Sequence, residues 1–358
     1  MKPIRVLVID DSVVVRKLLS TVFAADPELE VVGTAANGRI GLAKIAQLHP
    51  DVVTLDVEMP DMSGLEAVVE IRKSHPWLPI IMFSSQTEQG AVVTLEALAR
   101  GATDYVAKPS GTASSTDALA LIQAELVPKI KSLVRRAGAS SLPPPPKLKA
   151  KTIFPARVEA VVIGCSTGGP NALPVVLSAL PHPLPVPVLI VQHMPPVFTR
   201  QLAANLTKTT GLPVAEAHDG AKVEPGKVWL AAGGYHMTAH RSSAGVHLRL
   251  TQDPPEHCCR PAVDPLFRTA ADAYKSGTLA AVLTGMGKDG MAGAQAVHAA
   301  NGRVLAQDEG TSVVWGMPGH VVRAGVADDV LPLAELGPEL FRRIRGGRIY
   351  PTKHEVVA

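Results

Sequence analysis

Short apolar runs alternate along this chain with segments whose apolar residues recur at helical spacing. In the first third the runs cover residues 4–9, 31–36, 52–55, 80–83 and 105–107. Between them, Val14, Leu18, Leu19 and Val22 fall on one helical face, and Leu42, Ile45 and Ala46 on another. Strands that alternate with helices predict a doubly wound α/β domain. Helical periodicity returns through Leu119, Ile122, Leu126, Ile130 and Leu133 and stops at Gly138. The prolines at 143–146 cannot donate to a helix or a sheet, so the stretch around them reads as an extended, semi-rigid spacer. Beyond it, runs at 160–163, 186–191, 228–231 and 279–283 alternate with helical patterns near 172–180, 200–208 and 265–276, which predicts a second α/β domain. No internal repeat is evident. The expected division is a first domain at 1–125, a helical and then proline-rich basic linker at 126–156, a second domain at 157–347 and a tail at 348–358.

Composition narrows the class. A chain of 358 residues has material for two or three cores, and 46% hydrophobic with 19% charged content is that of a globular protein. No apolar stretch reaches the ~20 residues that span a bilayer, and the N-terminus reads as a strand rather than a signal peptide. A cytoplasmic location without membrane insertion is the expectation. Cys165, Cys258 and Cys259 build neither a disulfide framework nor a zinc motif. His257 beside Cys258 suggests a soft metal cluster, but incidental loop residues are the preferred reading. The net charge of +3 is concentrated: Lys129, Lys131, Arg135, Arg136, Lys147, Lys149, Lys151 and Arg157 share a segment without Asp or Glu. Such a stripe can attract nucleic acid or an acidic membrane surface. No recognition helix or RNA-binding motif accompanies it, so it reads as a solvated linker and no nucleic-acid partner is expected.

Chemistry gathers at the ends of the first set of runs. Asp10 and Asp11 follow the first, Asp56 follows the third and Lys108 follows the last. In an open α/β sheet these positions meet at the carboxyl edge, where ligands bind. Three carboxylates suit a hard divalent cation such as Mg²⁺, and Lys108 suits a phosphoryl group. Asp56 is the candidate acceptor, since a carboxylate can carry an acyl phosphate. The plainer alternative is that Asp10 and Asp11 only cap the following helix. With D-V-E-M-P at 56–60, Gly64, Ser84 and K-P at 108–109, this region resembles a response-regulator receiver domain of flavodoxin-like fold. The resemblance implies phosphorylation of Asp56 by a sensor histidine kinase. It also implies Mg²⁺ held by Asp11, Asp56 and the Glu58 carbonyl with Asp10 assisting, and switch roles for Ser84, Tyr105 and Lys108. Ser63 departs from the aspartate many receivers have there, outside the phosphate site.

The second domain opens with Gly164-Cys165-Ser166-Thr167-Gly168-Gly169 between a strand and a helix. Small residues permit a sharp turn, and the helix N-terminus turns N–H groups toward a developing anion. The pattern satisfies G-x-S-x-G, the nucleophile elbow, although a glycine-rich loop after a strand can also bind phosphate. A serine hydroxyl needs a base. His193 follows the 186–191 run, and Asp289 lies in the glycine-rich turn 284–290 after another strand, so both are candidates at the same rim. The order Ser, His, Asp differs from the Ser, Asp, His of α/β-hydrolases, and twelve histidines make chance candidates easy to find.

G-C-S-T-G-G-P, Q-H-M-P-P-x-F-T, R-P-A-V-D-P-L-F, L-T-G-M-G-K-D-G and A-Q-D-E-G-T-S-V-V-W-G-M-P then resemble the catalytic domain of chemotaxis-type protein-glutamate methylesterases, an α/β domain with a mainly parallel sheet. The receiver-linker-esterase arrangement is also that family's. By position the resemblance implies Ser166 as nucleophile, His193 as general base and then acid, Asp289 as the group orienting His193, and the Met286 N–H as an oxyanion donor. Cys165 is intrinsically the better nucleophile and Asp264 another partner for a histidine; spacing rejects neither, and the resemblance favours Ser166 and Asp289. It implies a phosphorylation-activated esterase that removes methyl groups from glutamyl methyl esters on chemoreceptor cytoplasmic helices, releases methanol and deamidates selected glutamines. No cofactor is expected for the ester step. The rival expectations are a receptor-binding regulator without catalysis and a related esterase in a non-chemotactic pathway.

Overall fold

The computed structural model describes residues 2–109, 115–138 and 157–346. The chain divides into two compact units, 1–142 and 143–358.

In the first unit β1 (Ile4–Ile9), α1 (Val13–Ala24), β2 (Leu29–Ala35), α2 (Gly38–Leu48), β3 (Val52–Asp56), α3 (Gly64–Ser74), β4 (Ile80–Ser84), α4 (Glu88–Ala99) and β5 (Asp104–Ala107) alternate before the long α5 (Ser115–Gly138). The sheet is parallel with order β2-β1-β3-β4-β5. Central β3 is buried along its whole length, as expected of a strand covered on both faces. Asp56 pairs with Phe83 and Ala107 with Ser84, so Asp10, Asp56 and Lys108 stand at one carboxyl edge.

Two helix faces differ from the sequence reading. α1 buries Leu19, Val22 and Phe23, whereas Val14 is 75% exposed. α2 approaches the sheet through Gly38, Gly41 and Ile45, and Ala46 is exposed. A Cβ on Gly41 would stand 2.4 Å from Ile9 Cδ1, so α2 packs tightly where it has no side chain. Hydrophobic periodicity does not register such a contact. The expected boundary at residue 126 falls inside α5, whose Leu126, Val127, Ile130 and Leu133 are buried. Lys129 and Lys131, expected in a solvated stripe, are tethered: Lys129 Nζ lies 3.0 Å from Asp104, and Lys131 Nζ lies 2.8 Å from Asp26 and also pairs with Glu28. The proline-rich stretch and the rest of the basic segment, apart from Arg157 and the helical backbone at 135–136, lie outside the described residues.

The second unit contains β6 (Ala160–Cys165), α6 (Gly169–Ser178), β7 (Val188–Gln192), α7 (Pro196–Thr210), β8 (Val214–Glu216) and β9 (Val228–Leu230). A hairpin of β10 (His236–Ser242) and β11 (Gly245–Thr251) leads to α8 (Val263–Tyr274), β12 (Thr278–Val282), α9 (Met291–Ala299), β13 (Arg303–Gln307), α10 (Met317–Arg323), β14 (Asp329–Leu331) and α11 (Leu333–Gly346). Seven parallel strands run in the order β14-β13-β12-β6-β7-β9-β8, and the hairpin forms its own antiparallel sheet. The chain winds outward from β6 in one direction and returns to β12 on its other side. Open α/β sheets place their ligands at such a reversal, here the carboxyl ends of β6 and β12. Among the described residues no helix is long and apolar enough to cross a membrane.

Candidate active site

In the first unit Lys108 Nζ lies 2.8 Å from Asp56 Oδ1 and 3.0 Å from Asp10 Oδ2. The alternative that Asp10 and Asp11 merely cap α1 gives way to a different cap: Ser12 occupies that position and its Oγ accepts from Val15 N. Asp10 instead accepts from Ser12 N at 2.9 Å. Asp10, Asp11 and Asp56 each offer an oxygen within 4.8 Å of the others. This hard, all-oxygen donor set fits Mg²⁺. Burial pushes the Asp56 carboxyl up to about 6; Lys108 and the Val57 amide oppose that rise and the Asp10 charge adds to it. Burial works against the charge of Lys108, but the two carboxylates prevail and hold its ammonium above the ordinary lysine range. One cation is thus shared between two acids. Ser84 is fully buried, its Oγ donating to Gly90 O at 3.2 Å, and Tyr105 is buried with Lys129 Nζ 5.4 Å from its ring centroid. Glu58 is exposed at the mouth of the same edge.

In the second unit Ser166 and His193 follow directly on Cys165 and Gln192, a paired position of β6 and β7. His193 N–H donates to Cys165 O at 3.2 Å, and Ser166 N–H donates across to Thr284 O at 3.0 Å. The serine therefore sits between the 193 and 284–290 segments. Gly285 makes that approach possible, since a Cβ there would lie 2.9 Å from Ser166 Cβ. At the turn into α6, the Thr167 and Gly168 amides donate to no group among the described residues.

Asp289 is 1% exposed and shares a 2.7 Å hydrogen bond with His193 Nε2 through Oδ2. Its carboxylate also accepts from Val263 N at 2.6 Å, Asp264 N at 2.9 Å and Gly290 N at 2.8 Å. Two of those donors open α8, so a helix N-terminus faces the acid. Burial disfavours the Asp289 charge, but His193 and these amides outweigh it and hold the carboxyl below its ordinary range. Burial likewise disfavours a charged imidazole. Asp289 and the Cys259 side chain, in hydrogen-bonding contact with the ring, raise His193 to about 9.

The sequence competitors are placed elsewhere. Cys165 is fully buried, donates to Gln192 Oε1 at 3.0 Å, and has its thiol pushed far up by burial. Asp264 pairs with His257 Nε2 at 3.0 Å and not with His193. His257, read from sequence with Cys258 as an incidental loop residue, thus borders the site, and so does Cys259. No local motif marks them, because their partners lie in α8 and at the end of β7. His257, Asp264 and Asp289 come within 4.8 Å of one another, yet backbone amides and histidines occupy the carboxylates, which makes this a hydrogen-bond network rather than a cation site.

Fold and centres together define a response regulator with an enzymatic output domain. Residues 161–340 match the CheB methylesterase family and residues 6–120 the response regulator receiver domain. A protein-glutamate methylesterase/protein-glutamine glutaminase of Nocardioides sp. is 53% identical over 353 residues, 96% of each chain. One of the same description from Trichodesmium erythraeum is 44% identical over 96% of this chain and 100% of its own. The crystal structure of the Thermotoga maritima CheB methylesterase catalytic domain superposes with a TM-score of 0.51 at 44% identity, covering 52% of this chain and 99% of that one. This chain belongs to the CheB methylesterase family and is a carboxylic ester hydrolase.

Proposed function

We propose that the chain is a phosphorylation-activated serine esterase acting on glutamyl methyl esters of chemoreceptor cytoplasmic helices, and on selected glutamines. One observation carries the reading: the His193–Asp289 pair, anchored by the α8 amides, stands at the strand ends beside Ser166. The Ser166 hydroxyl attacks the ester carbonyl while the imidazole takes its proton, and Asp289 holds the ring and balances its charge. The Met286 N–H, with the amides at the turn into α6, stabilises the tetrahedral oxyanion. His193 then returns the proton to the departing methoxide, methanol leaves, and water repeats the sequence on the acyl-enzyme. An amide substrate follows the same course with ammonia as the leaving group.

In the receiver Asp56 attacks phosphorus and Lys108 meets the phosphoryl oxygens, while Asp10, Asp11 and Asp56 with the Glu58 carbonyl are the groups that would hold Mg²⁺. When bound, the cation supplies charge neutralisation for the incoming phosphate. A histidine kinase is the donor, Ser84 and Tyr105 register the phosphorylated state, and the site of action is the cytoplasm. Methanol release from methylated receptor tests this reading. Ser166→Ala should lose about 10⁴- to 10⁶-fold in turnover. Phosphorylated full-length protein should exceed the unphosphorylated form by about 5- to 150-fold. A version lacking residues 1–140 should fall between them. Near-normal release by Ser166→Ala sinks the nucleophile assignment, and a truncated form no faster than the unphosphorylated one would mean that residues 1–140 do not hold the esterase back in that state.

A further inference from the structure

Cys258 and Cys259 have no part in the proposed hydrolysis, yet they lie on a turn built against its base. Residues 256–259 close on both sides: Glu256 N–H donates to Cys259 O at 3.2 Å, and Cys259 N–H donates to Glu256 O at 2.9 Å. The two central residues, His257 and Cys258, have φ of 52° and 62°, a region that side chains other than glycine enter only when their surroundings impose it. Here the surroundings do. Arg268 donates to both Glu256 oxygens at 2.6 and 3.0 Å, and His257 pairs with Asp264 at 3.0 Å. Gly234 N–H donates to Arg260 O at 3.1 Å, and neighbouring Gly233 packs on the Pro195–Pro196 backbone just beyond His193. The result is an exposed Cys258 beside a half-buried Cys259 whose side chain touches the His193 ring.

We propose that Cys258 and Cys259 form a reversible oxidation site, with a peroxide as oxidant, that switches the hydrolase off. His193 takes the Cys259 thiol proton as the sulfur attacks one peroxide oxygen. The O–O bond breaks, Cys259 becomes a sulfenic acid, and the expelled hydroxide leaves as water with that proton. The Cys258 sulfur then displaces the sulfenic hydroxyl, which departs as a second water, and an S–S bond joins the neighbours. Two thiols lose two electrons and one peroxide becomes two waters. Adjacent Cα atoms stand about 3.8 Å apart, closer than the roughly 4.4–6.8 Å of ordinary disulfides, so this bond is strained and readily reduced by a dithiol. Closing it reshapes the turn. That moves the side chain packed on His193 and disturbs Asp264, whose amide holds Asp289.

The switch rests on His193 being the base of the esterase. The test uses full-length protein, phosphorylated with a small phosphodonor and Mg²⁺, exposed to hydrogen peroxide and followed by methanol release and peptide mass. Wild type should lose about 10²-fold, the lower part of what a positioned base contributes. Dithiothreitol should restore it, and the oxidised 258–259 peptide should be lighter by its two thiol hydrogens. Cys258→Ser should keep its untreated activity and accumulate a dimedone-reactive sulfenic acid at Cys259. Cys259→Ser should resist peroxide relative to its own untreated rate. Peroxide sensitivity persisting in Cys259→Ser, or a disulfide formed without loss of methanol release, overturns the proposal. Normal turnover by untreated His193→Gln would instead remove the base assignment beneath it, and the peptide masses distinguish that failure from the others.

Discussion

Asp56 and Asp289 are both buried carboxylates at the carboxyl edge of a parallel sheet, and each faces a nitrogen base, yet their charges are settled in opposite directions. Asp289 receives three backbone amides besides His193, two of them from a helix N-terminus. Asp56 receives one, from Val57, and must share Lys108 with Asp10. Burial disfavours both anions, but the carboxyl of Asp289 is held below its ordinary range whereas that of Asp56 rises to about 6. The number of fixed donors decides the outcome. A fully satisfied carboxylate serves as a permanent charge that orients an imidazole. An under-satisfied one beside two other acids is suited to accept a cation and a phosphoryl group.

The sharpest way to break this contrast is Asp289→Asn. An amide nitrogen turned toward His193 or the amides cannot accept from them, so turnover should fall about 10⁴-fold. Chemical denaturation should show a loss of about 3 kcal/mol, as when a buried ion pair loses one partner. A fall in methanol release of less than about tenfold would show that the ring is oriented by something else.

Titration probes the same pair. With His193 raised to about 9, esterase activity should climb about tenfold per pH unit from neutrality toward that value as the base is deprotonated. Stability should move the other way. A histidine whose folded pKa exceeds its unfolded 6.5 contributes fully below 6.5, and that contribution, about 3 kcal/mol, is lost as pH rises through about 9. A rate profile flat across this window would exclude His193 as the titrating base.

Asp56→Asn should produce the smallest energetic effect, of opposite sign to that of Asp289→Asn. Because the folded carboxyl titrates near 6 and the unfolded one near 3.8, the native state binds more protons in that window. Stability therefore falls as pH rises through it. Removing the charge should return about 1–3 kcal/mol at neutral pH, seen as a higher melting temperature of the first unit. The variant should also lose phosphodonor labelling and the stabilisation wild type gains from Mg²⁺. A lower melting temperature at neutral pH would mean that Lys108 outweighs burial and the Asp10 charge.

The sequence by itself determined the alternation of strands and helices, the presence of two α/β domains, and the strand ends and following loops that carry Asp10, Asp56, Lys108, Ser166, His193 and Asp289. These depend on short-range patterns: apolar runs, turn glycines and polar residues just past a strand. Which aspartate meets His193 was not legible, because Asp264 and Asp289 read alike until α8 turns its amides toward one of them. The two partners lie 96 residues apart. Likewise the outward Val14, the glycine contact of α2, the β10–β11 hairpin and the short β8 and β14 strands gain their places only from what packs beside them. The Cys259 contact with His193 is the clearest case. No spacing announces it; it exists because Asp264 and Arg268 on α8 and Gly234 just before β10 together hold one turn over the end of β7. Local pattern sets where a side chain can stand, and long-range packing decides which way it faces and what it meets.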